Sequence, residues 1–468
     1  MTILKSSRYS SLAGFLPAGV VFLMVLFEYT DNSVFALVAS VMAVIAVAIF
    51  SFGVRASRVV FVLIAIALVL WAALTNSEWM TATALAAQRG AMVMALFTAL
   101  TAIRNAAISA PAIVECGRFL ARQRSGLRYT ALTVGGHLFA LVLLYGSISL
   151  LGTLATESTA REPDPEIRKQ RTRRMMIAIQ RGFASTLCWS PLGFSMIISV
   201  SVVPGASWSA AALPGLFSAL MMLIIGWGLD ALYKPQVKPN KRPLETERWV
   251  TQLRPLLLLL GLVLVGVALL HIVTGVEVIG AVMSLIPLVA ILWVAMQQPP
   301  VGLTRSVNVR QRALLFVTRE LPSYRGEIVL LFMAGFIGSL GAFLLVPLVQ
   351  AQGLDLTTIP PWIIVAAMVW IIPVTGQLGM NPILAVSLLV PILPSPEVMG
   401  IPPTAMVVAI TGGWALSGAT SPFTASVMLA ASLGGVSPLR AGLGWNGVYI
   451  LAAGAALTLW ALLLFYIL

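Results

Sequence analysis

Apolar runs of spanning length, cut by short polar loops, order this chain. They fall near 11–28, 34–53, 59–75 and 84–104, and again near 177–203, 210–232, 253–273, 275–297, 327–348, 402–433 and 441–467. About 18–20 apolar residues cross a hydrocarbon layer of about 30 Å as an α-helix, so the pattern predicts an all-α membrane protein with about 11 transmembrane helices. A β-barrel would instead alternate over segments of about ten residues. The first run follows a basic flank (Lys5, Arg8) with no small-residue cleavage site behind it, and reads as a span rather than a signal peptide.

Loops rich in Lys and Arg mark the cytoplasmic side. They are the N-terminus, 54–58, 117–128, 161–174, 233–248 and 303–312. The loops at 28–33, 75–79, 204–209 and 350–362 are poor in both and belong outside. Two apolar segments resist a single crossing: 129–155 has basic loops on both sides, and 361–399 has loops poor in Lys and Arg on both sides. Each is expected to be a re-entrant hairpin, with two full spans as the alternative for 361–399. The first enters from the cytoplasm and turns at Gly135-Gly136-His137. The second enters from the periplasm and turns near "GQLGMNP", where Gly376, Gly379 and Pro382 supply turn chemistry.

Two of the apolar runs carry a Ser-Pro pair where a spanning helix should be unbroken. A gapless alignment at an offset of 231 lays 182–201 on 413–432. It matches Gly182/Gly413, Ala184/Ala415, Ser190/Ser421, Pro191/Pro422, Ser195/Ser426 and Ser201/Ser432. Laying "GGHLFALVLL" on "MNPILAVSLL" also pairs Ala140 with Ala385. Each Ser-Pro helix follows a hairpin and precedes one last span, and the two run in opposite directions through the predicted topology. The expected organisation is therefore two inverted repeats. Residues 1–32 form an N-terminal extra span, 33–232 the first repeat with hairpin 129–155, 233–252 a cytoplasmic linker, and 253–468 the second repeat with hairpin 361–399.

Proline removes a backbone N–H and clashes with the carbonyl four residues back, so a helix opens there. Opened backbone cannot face lipid and is tolerated only inside protein or along a polar cavity. Such breaks present half-helix ends and free carbonyls near the membrane midplane, the arrangement that secondary transporters use to bind substrate and coupling ion.

Composition changes this picture little. The chain is 59% hydrophobic and 10% charged, with a net charge of +13. That excess sits in the cytoplasmic loops, so it reports orientation, and no nucleic-acid partner is expected. Two cysteines (Cys116, Cys188) and two histidines (His137, His271) make neither a disulfide framework nor a metal site. No Asp or Glu is placed at mid-membrane, which argues against a carboxylate proton relay and against a cation or drug pump that needs an acidic counter-charge. The longest predicted periplasmic loop has about a dozen residues. No catalytic constellation appears, so an enzyme such as a glycan polymerase or acyltransferase is not expected.

The layout resembles the ion transporter superfamily, and within it the divalent anion/sodium symporters. Those proteins combine about eleven spans, two inverted repeats, a hairpin from each face and a broken helix after each hairpin. Their hairpin tips carry Ser-Asn-Thr. Here the second tip reads Met380-Asn381-Pro382 and the first Gly135-Gly136-His137, so the resemblance is to a distant member. It implies elevator-like transport and a homodimer.

The candidate substrate-binding residues are Gly136, His137, Asn381, Ser190, Thr420 and Ser421, around the breaks at Pro191 and Pro422. Candidates for the coupling ion, Na+ or H+, are His137, Asn381, Thr133 and Thr375; no other cofactor and no metal is expected. His137 reads equally well as a histidine bonded to a hairpin carbonyl, and the serines as groups satisfying local carbonyls. Arg89 and Arg104 are read as snorkelling side chains, and 163–179 as an interfacial basic helix. The expected function is secondary transport of a small anion, a carboxylate or similar, across a bacterial inner membrane, with membrane lipids around it and the N-terminus cytoplasmic. The alternative is a lipid-linked or amphipathic substrate, such as a polyprenyl phosphate, or export of a drug-like acid.

Overall fold

The computed structural model describes residues 12–124, 126–160, 162–233, 249–299, 304–351 and 356–468, without the side chains of 57 and 349–351. Most of the expected linker and the N-terminal basic residues lie outside them. Among the described residues there is helix and no strand. Eight helices among the described residues are long and apolar enough to cross a membrane. The shortfall from the expected count has a physical basis: both Ser-Pro runs are cut in two, and the first helix, α1 (Phe15–Thr30), has 16 residues.

The chain divides into two compact units. The first comprises Met1–Ala107, Gly261–Asp355 and Ser387–Leu393. In it, α1 packs on α2 (Ser33–Ser51), which starts where the Asn32 side chain accepts the Val34 N–H at 3.0 Å. Next come α3 (Ala56–Thr75) and α4 (Trp79–Ile108), which continues one residue into the second unit.

The second unit comprises Ile108–Leu260, Leu356–Val386 and Pro394–Leu468. It opens with α5 (Pro111–Ala121), α6 (Arg128–Leu143) and α7 (Gly146–Ala160). The run 165–202 forms α8 (Pro165–Thr186) and α9 (Phe194–Val202), followed by α10 (Trp208–Leu232). Asp164 caps α8 by accepting the Glu166 and Ile167 N–H groups. The basic segment expected to lie along the interface is continuous with the helix that leads to the first break.

Beyond α11 (Trp249–Thr274), which spans the unit boundary, the first unit resumes with α12 (Val278–Met296), α13 (Arg305–Leu315) and α14 (Arg325–Ala351). There α14 lies against α2 and α3, and α12 against α1. The second unit then continues with α15 (Pro361–Gln377), joined by a turn at 378–381 to α16 (Pro382–Ile392), whose last residues belong to the first unit. It ends with α17 (Pro403–Thr420), α18 (Ala425–Gly434), a π-turn at Arg440–Gly444 and α19 (Trp445–Ile467).

The helices of the two expected hairpins are short. At 1.5 Å per residue, α6, α7, α15 and α16 are roughly 16–26 Å long, below the roughly 30 Å of a hydrocarbon core. The second turn falls where the sequence places it, with Gly379 at φ +92 and Pro382 opening α16. The first does not. Gly135, Gly136 and His137 lie inside α6, and the chain turns at Leu144-Tyr145, with Leu144 at φ +50. The glycine there serves helix contact rather than a turn: a Cβ on Gly136 would stand 2.8 Å from the Ile179 carbonyl of α8. Laying "GGH" on "MNP" is corrected with it, because one lies mid-helix and the other in a turn.

Candidate functional site

Both Ser-Pro helices are open in the second unit. After Thr186 the chain makes turn bonds, from Leu187 N to Ala184 O (3.1 Å) and from Ser190 N to Thr186 O (3.0 Å), and becomes helical again only at Phe194. Pro191 has no N–H to continue the ladder. The Ser190 hydroxyl accepts the Leu192 N–H (3.2 Å), and the Ser195 hydroxyl donates to the freed Leu187 carbonyl. At the second break Ser421 N still reaches Ser417 O (2.8 Å) and the helix resumes at Ala425. The Ser421 hydroxyl accepts the Phe423 N–H (3.3 Å), and the Ser426 hydroxyl donates to Gly418 O (2.5 Å). Each of these side-chain bonds recurs between the residues 231 positions on.

The packing around the breaks recurs as well. Helix α6 lies along α8, and α15 along α17. A Cβ on Gly182 would stand 2.9 Å from His137 N and overlap the Thr133 carbonyl, while one on Gly413 would stand 2.7 Å from Met368 O. These matched glycines let each helix pair approach to backbone contact. In turn, α9 packs on α17 and α18 on α8. Where the two sets cross, a Cβ on Gly418 would stand 2.8 Å from Leu187 Cδ1. Leu187 and Gly418 are themselves 231 positions apart, so related positions touch each other, as happens at a two-fold axis.

The side chains at the two breaks differ. At the first, the buried His137 ring is bonded through both nitrogens: Nδ1 to Ser185 Oγ (2.7 Å), and Nε2 accepting the Trp189 indole N–H (3.2 Å). Thr133 is buried and its hydroxyl has no partner. At the second, Gln377 donates to the Thr420 hydroxyl (3.4 Å), which donates to Leu416 O (2.7 Å). The Ser421 hydroxyl donates to Gly376 O (2.6 Å), tying the break to the end of α15. The Ser417 hydroxyl is buried without a partner. The Thr375 hydroxyl donates to Ile372 O of its own helix (3.1 Å), and its carbonyl accepts from Leu378 N and Met380 N in the turn. Asn381 caps α16 by accepting the Ile383 N–H (2.9 Å). The expected residues therefore form two groups, Thr133, Gly136, His137 and Ser190 at one break and Asn381, Thr375, Thr420 and Ser421 at the other.

What joins the two broken helices is a buried polar network that the pattern reading passed over. Gln180 donates to Ala419 O (3.0 Å), in the last turn of α17. Asn446, fully buried, donates to Gln180 Oε1 (3.2 Å), Ala419 O (3.3 Å) and Ala441 O (3.2 Å), and accepts Arg181 Nε (2.9 Å). Arg181, 6% exposed, also donates to Tyr129 Oη (3.1 Å) and Gly226 O (3.3 Å), and its guanidinium carbon lies 4.2 Å from the Tyr449 ring centre. All these partners are neutral. The nearby acid Asp230 is held by Arg174, at 2.9 and 2.6 Å. A visible signal existed: Gln180-Arg181 stands inside an apolar run, and an intramembrane ionisable residue is a functional candidate by default. Asn446 gave none. Among the described residues no cluster of three His, Cys, Asp or Glu offers a metal site.

No protein-family model matches the sequence, and no curated protein does. The fold, however, is shared with two solved transporters. One is the Alcanivorax borkumensis YdaH transporter, 16% identical with a TM-score of 0.57, aligned over 86% of this chain and 98% of that one. The other is Neisseria gonorrhoeae MtrF, of a class of antimetabolite efflux pumps, 14% identical with a TM-score of 0.56 over 89% of this chain and 96% of that one. At such identities the likeness carries the fold alone. Together with eight helices of spanning length and apolarity it makes this a multi-pass membrane protein.

Proposed function

We propose that the chain is an ion-coupled secondary transporter of a small anion, a carboxylate or similar, and a distant member of the ion transporter superfamily. The observation that carries this reading is the matched pair of helix breaks whose related positions, Leu187 and Gly418, touch. Two breaks related by a two-fold axis are what inverted repeats with re-entrant hairpins produce, and they set opened backbone where a midplane site belongs. Arg181 supports the anionic class: a buried guanidinium with only neutral partners leaves positive charge that a bound anion would offset. In this reading Gly136, His137, Ser190, Thr420, Ser421 and Asn381 line the substrate path, with Thr133, His137, Thr375 and Asn381 serving the coupling ion, Na+ or H+.

Elevator-type alternating access fits a chain whose two breaks fall in one compact unit. The protein works as a homodimer in a bacterial inner membrane with its N-terminus in the cytoplasm, without enzymatic activity. A second reading, export of a drug-like acid, draws on the fold shared with MtrF, of a class of antimetabolite efflux pumps.

The test is counterflow in proteoliposomes with labelled carboxylates, phosphate and sulfonates, with and without sodium or proton gradients. Exchange of at least one is expected, and Ser421→Ala should reduce it. Failure of all of them removes the small-anion reading.

A further inference from the structure

The first break contains a hydrogen-bond chain whose direction is fixed at both ends. The Trp189 indole has one polar group, an N–H donor. It points at His137 Nε2 (3.2 Å), so that nitrogen must offer a lone pair. At the other end the Ser185 hydroxyl donates to Gly182 O (2.8 Å). Its oxygen then accepts from His137 Nδ1 (2.7 Å). The sequence of donors is Trp189, His137, Ser185, Gly182, and His137 is the neutral tautomer with its proton on Nδ1.

A second proton has one place to go, Nε2, and the indole N–H already occupies that lone pair. Two N–H groups cannot face each other at 3.2 Å, so protonation expels the indole. Trp189 stands in the opened segment between α8 and α9, next to Ser190-Pro191, and is half-buried. Its carbonyl accepts the Trp208 indole N–H at the start of α10 (3.2 Å), a bond that holds the peptide and does not involve the Trp189 side chain.

Among the described residues no other ionisable group bonds to the ring. On α6 itself, Tyr129 is taken up with Arg181. From α8, Arg181 stands one turn before Ser185 and faces Asn446. From α10, Asp230 is paired with Arg174. From α5, Cys116 bonds to Gln252 O and Glu115 pairs with Arg118 at the surface. From α7, Glu157 is exposed. At the hairpin turn Tyr145 lies against Phe183, and in the break Cys188 contacts Met222. None bonds to the imidazole.

We infer that His137 Nε2 is a proton site that the Trp189 indole and a proton occupy in turn, so that protonation unlatches the first helix break. This deepens the coupling-ion reading, since it makes that ion a proton.

The test reads the latch without substrate, so failure of the transport reading leaves it standing, and its own failure leaves sodium coupling intact. The protein is purified with 15N-histidine and 5-fluorotryptophan and titrated by NMR from about pH 8 to pH 4, around the ordinary imidazole range. With only two histidines and 12 tryptophans, His271→Gln and Trp189→Phe assign the resonances. At neutral pH His137 should show a protonated Nδ1 and a bare Nε2. On acidification Nε2 should gain its proton with the same midpoint at which the Trp189 fluorine moves toward a solvent-exposed shift. In His137→Gln, whose amide oxygen accepts the indole but does not titrate, that fluorine should stay fixed. If that variant does not fold, the co-titration in the wild-type protein decides alone. An Nε2–H tautomer at neutral pH, protonation that leaves Trp189 in place, or the same fluorine shift in His137→Gln would each overturn the inference. So would a His137 that does not titrate in this range.

Discussion

Asn446 is the residue on which the junction between the two breaks depends, and its removal makes a sharp test. Asn446→Ala deletes four hydrogen bonds at once. They are not equal. The Ala419 carbonyl keeps Gln180 Nε2 at 3.0 Å, so its loss costs little. Ala441 O and Gln180 Oε1 lose neutral bonds, which in membrane proteins average about 0.6 kcal/mol each. Arg181 Nε loses a bond to a charged donor, worth about 1.5–3 kcal/mol, in a site with no carboxylate to replace it. The sum is about 3–4 kcal/mol, most of it through Arg181. Removing the charge should therefore remove most of the cost. In an Arg181→Met background, Asn446→Ala should cost only about 1 kcal/mol, a coupling of about 2 kcal/mol. The assay is denaturant unfolding of purified protein in detergent, run as a double-mutant cycle. A single-variant cost below about 1 kcal/mol, or a cycle additive to within about 0.5 kcal/mol, would refute the reasoning.

Three further predictions use the same assay. Leu144→Gly should stabilise by up to about 1 kcal/mol, because a leucine at φ +50 pays a backbone strain that glycine does not; a loss of stability would mean that packing of the half-buried leucine outweighs it. Gly182→Ala and Gly413→Ala should each cost about 1–3 kcal/mol or more, with Gly182 the worse of the two, since its new methyl overlaps the Thr133 carbonyl while that at Gly413 stops 2.7 Å from Met368 O. Ser195→Ala and Ser426→Ala should each cost about 1 kcal/mol through the carbonyls they leave open. A large difference between those two would count against equivalent breaks.

Where a feature has a local cause, it was legible in the chain. Proline acts on its own helical turn, so both breaks could be placed at Ser190-Pro191 and Ser421-Pro422 before any contact was known. The turn at 378–381 was legible for the same reason, through Gly379 and Pro382. The first turn was misplaced because glycine answers two needs with one residue type. At 135–136 it lets α6 approach its neighbours, while the actual turn uses Leu144 and Tyr145, which carry no turn signal. Arg181 and Asn446 lie 265 residues apart and meet only through the fold. A pattern search can flag the arginine in its apolar run, but it cannot tell that its acceptor is an asparagine just beyond a π-turn.

The contrast between the two breaks bears on what such a site can bind. Their backbone devices are matched: a serine accepting two residues on, and a second serine closing the freed carbonyl. A two-fold arrangement with identical side chains would favour a ligand with two equivalent ends. Here the furnishing is unequal. One break holds an imidazole and an indole, which offer a titratable nitrogen and an aromatic face. The other holds Gln377, Thr420 and Ser417, neutral groups with no titration near neutral pH, and a hydroxyl still without a partner. Among the described residues an imidazole thus stands only at the first break, while neutral hydrogen-bonding groups stand at both. A ligand bridging them should have one ionic and one neutral polar end, such as a monocarboxylate carrying an amide or hydroxyl. Among otherwise similar acids, counterflow should then favour that class over symmetrical dicarboxylates, and a preference for the dicarboxylates would mean that the matched backbone rather than the unequal side chains sets the selection.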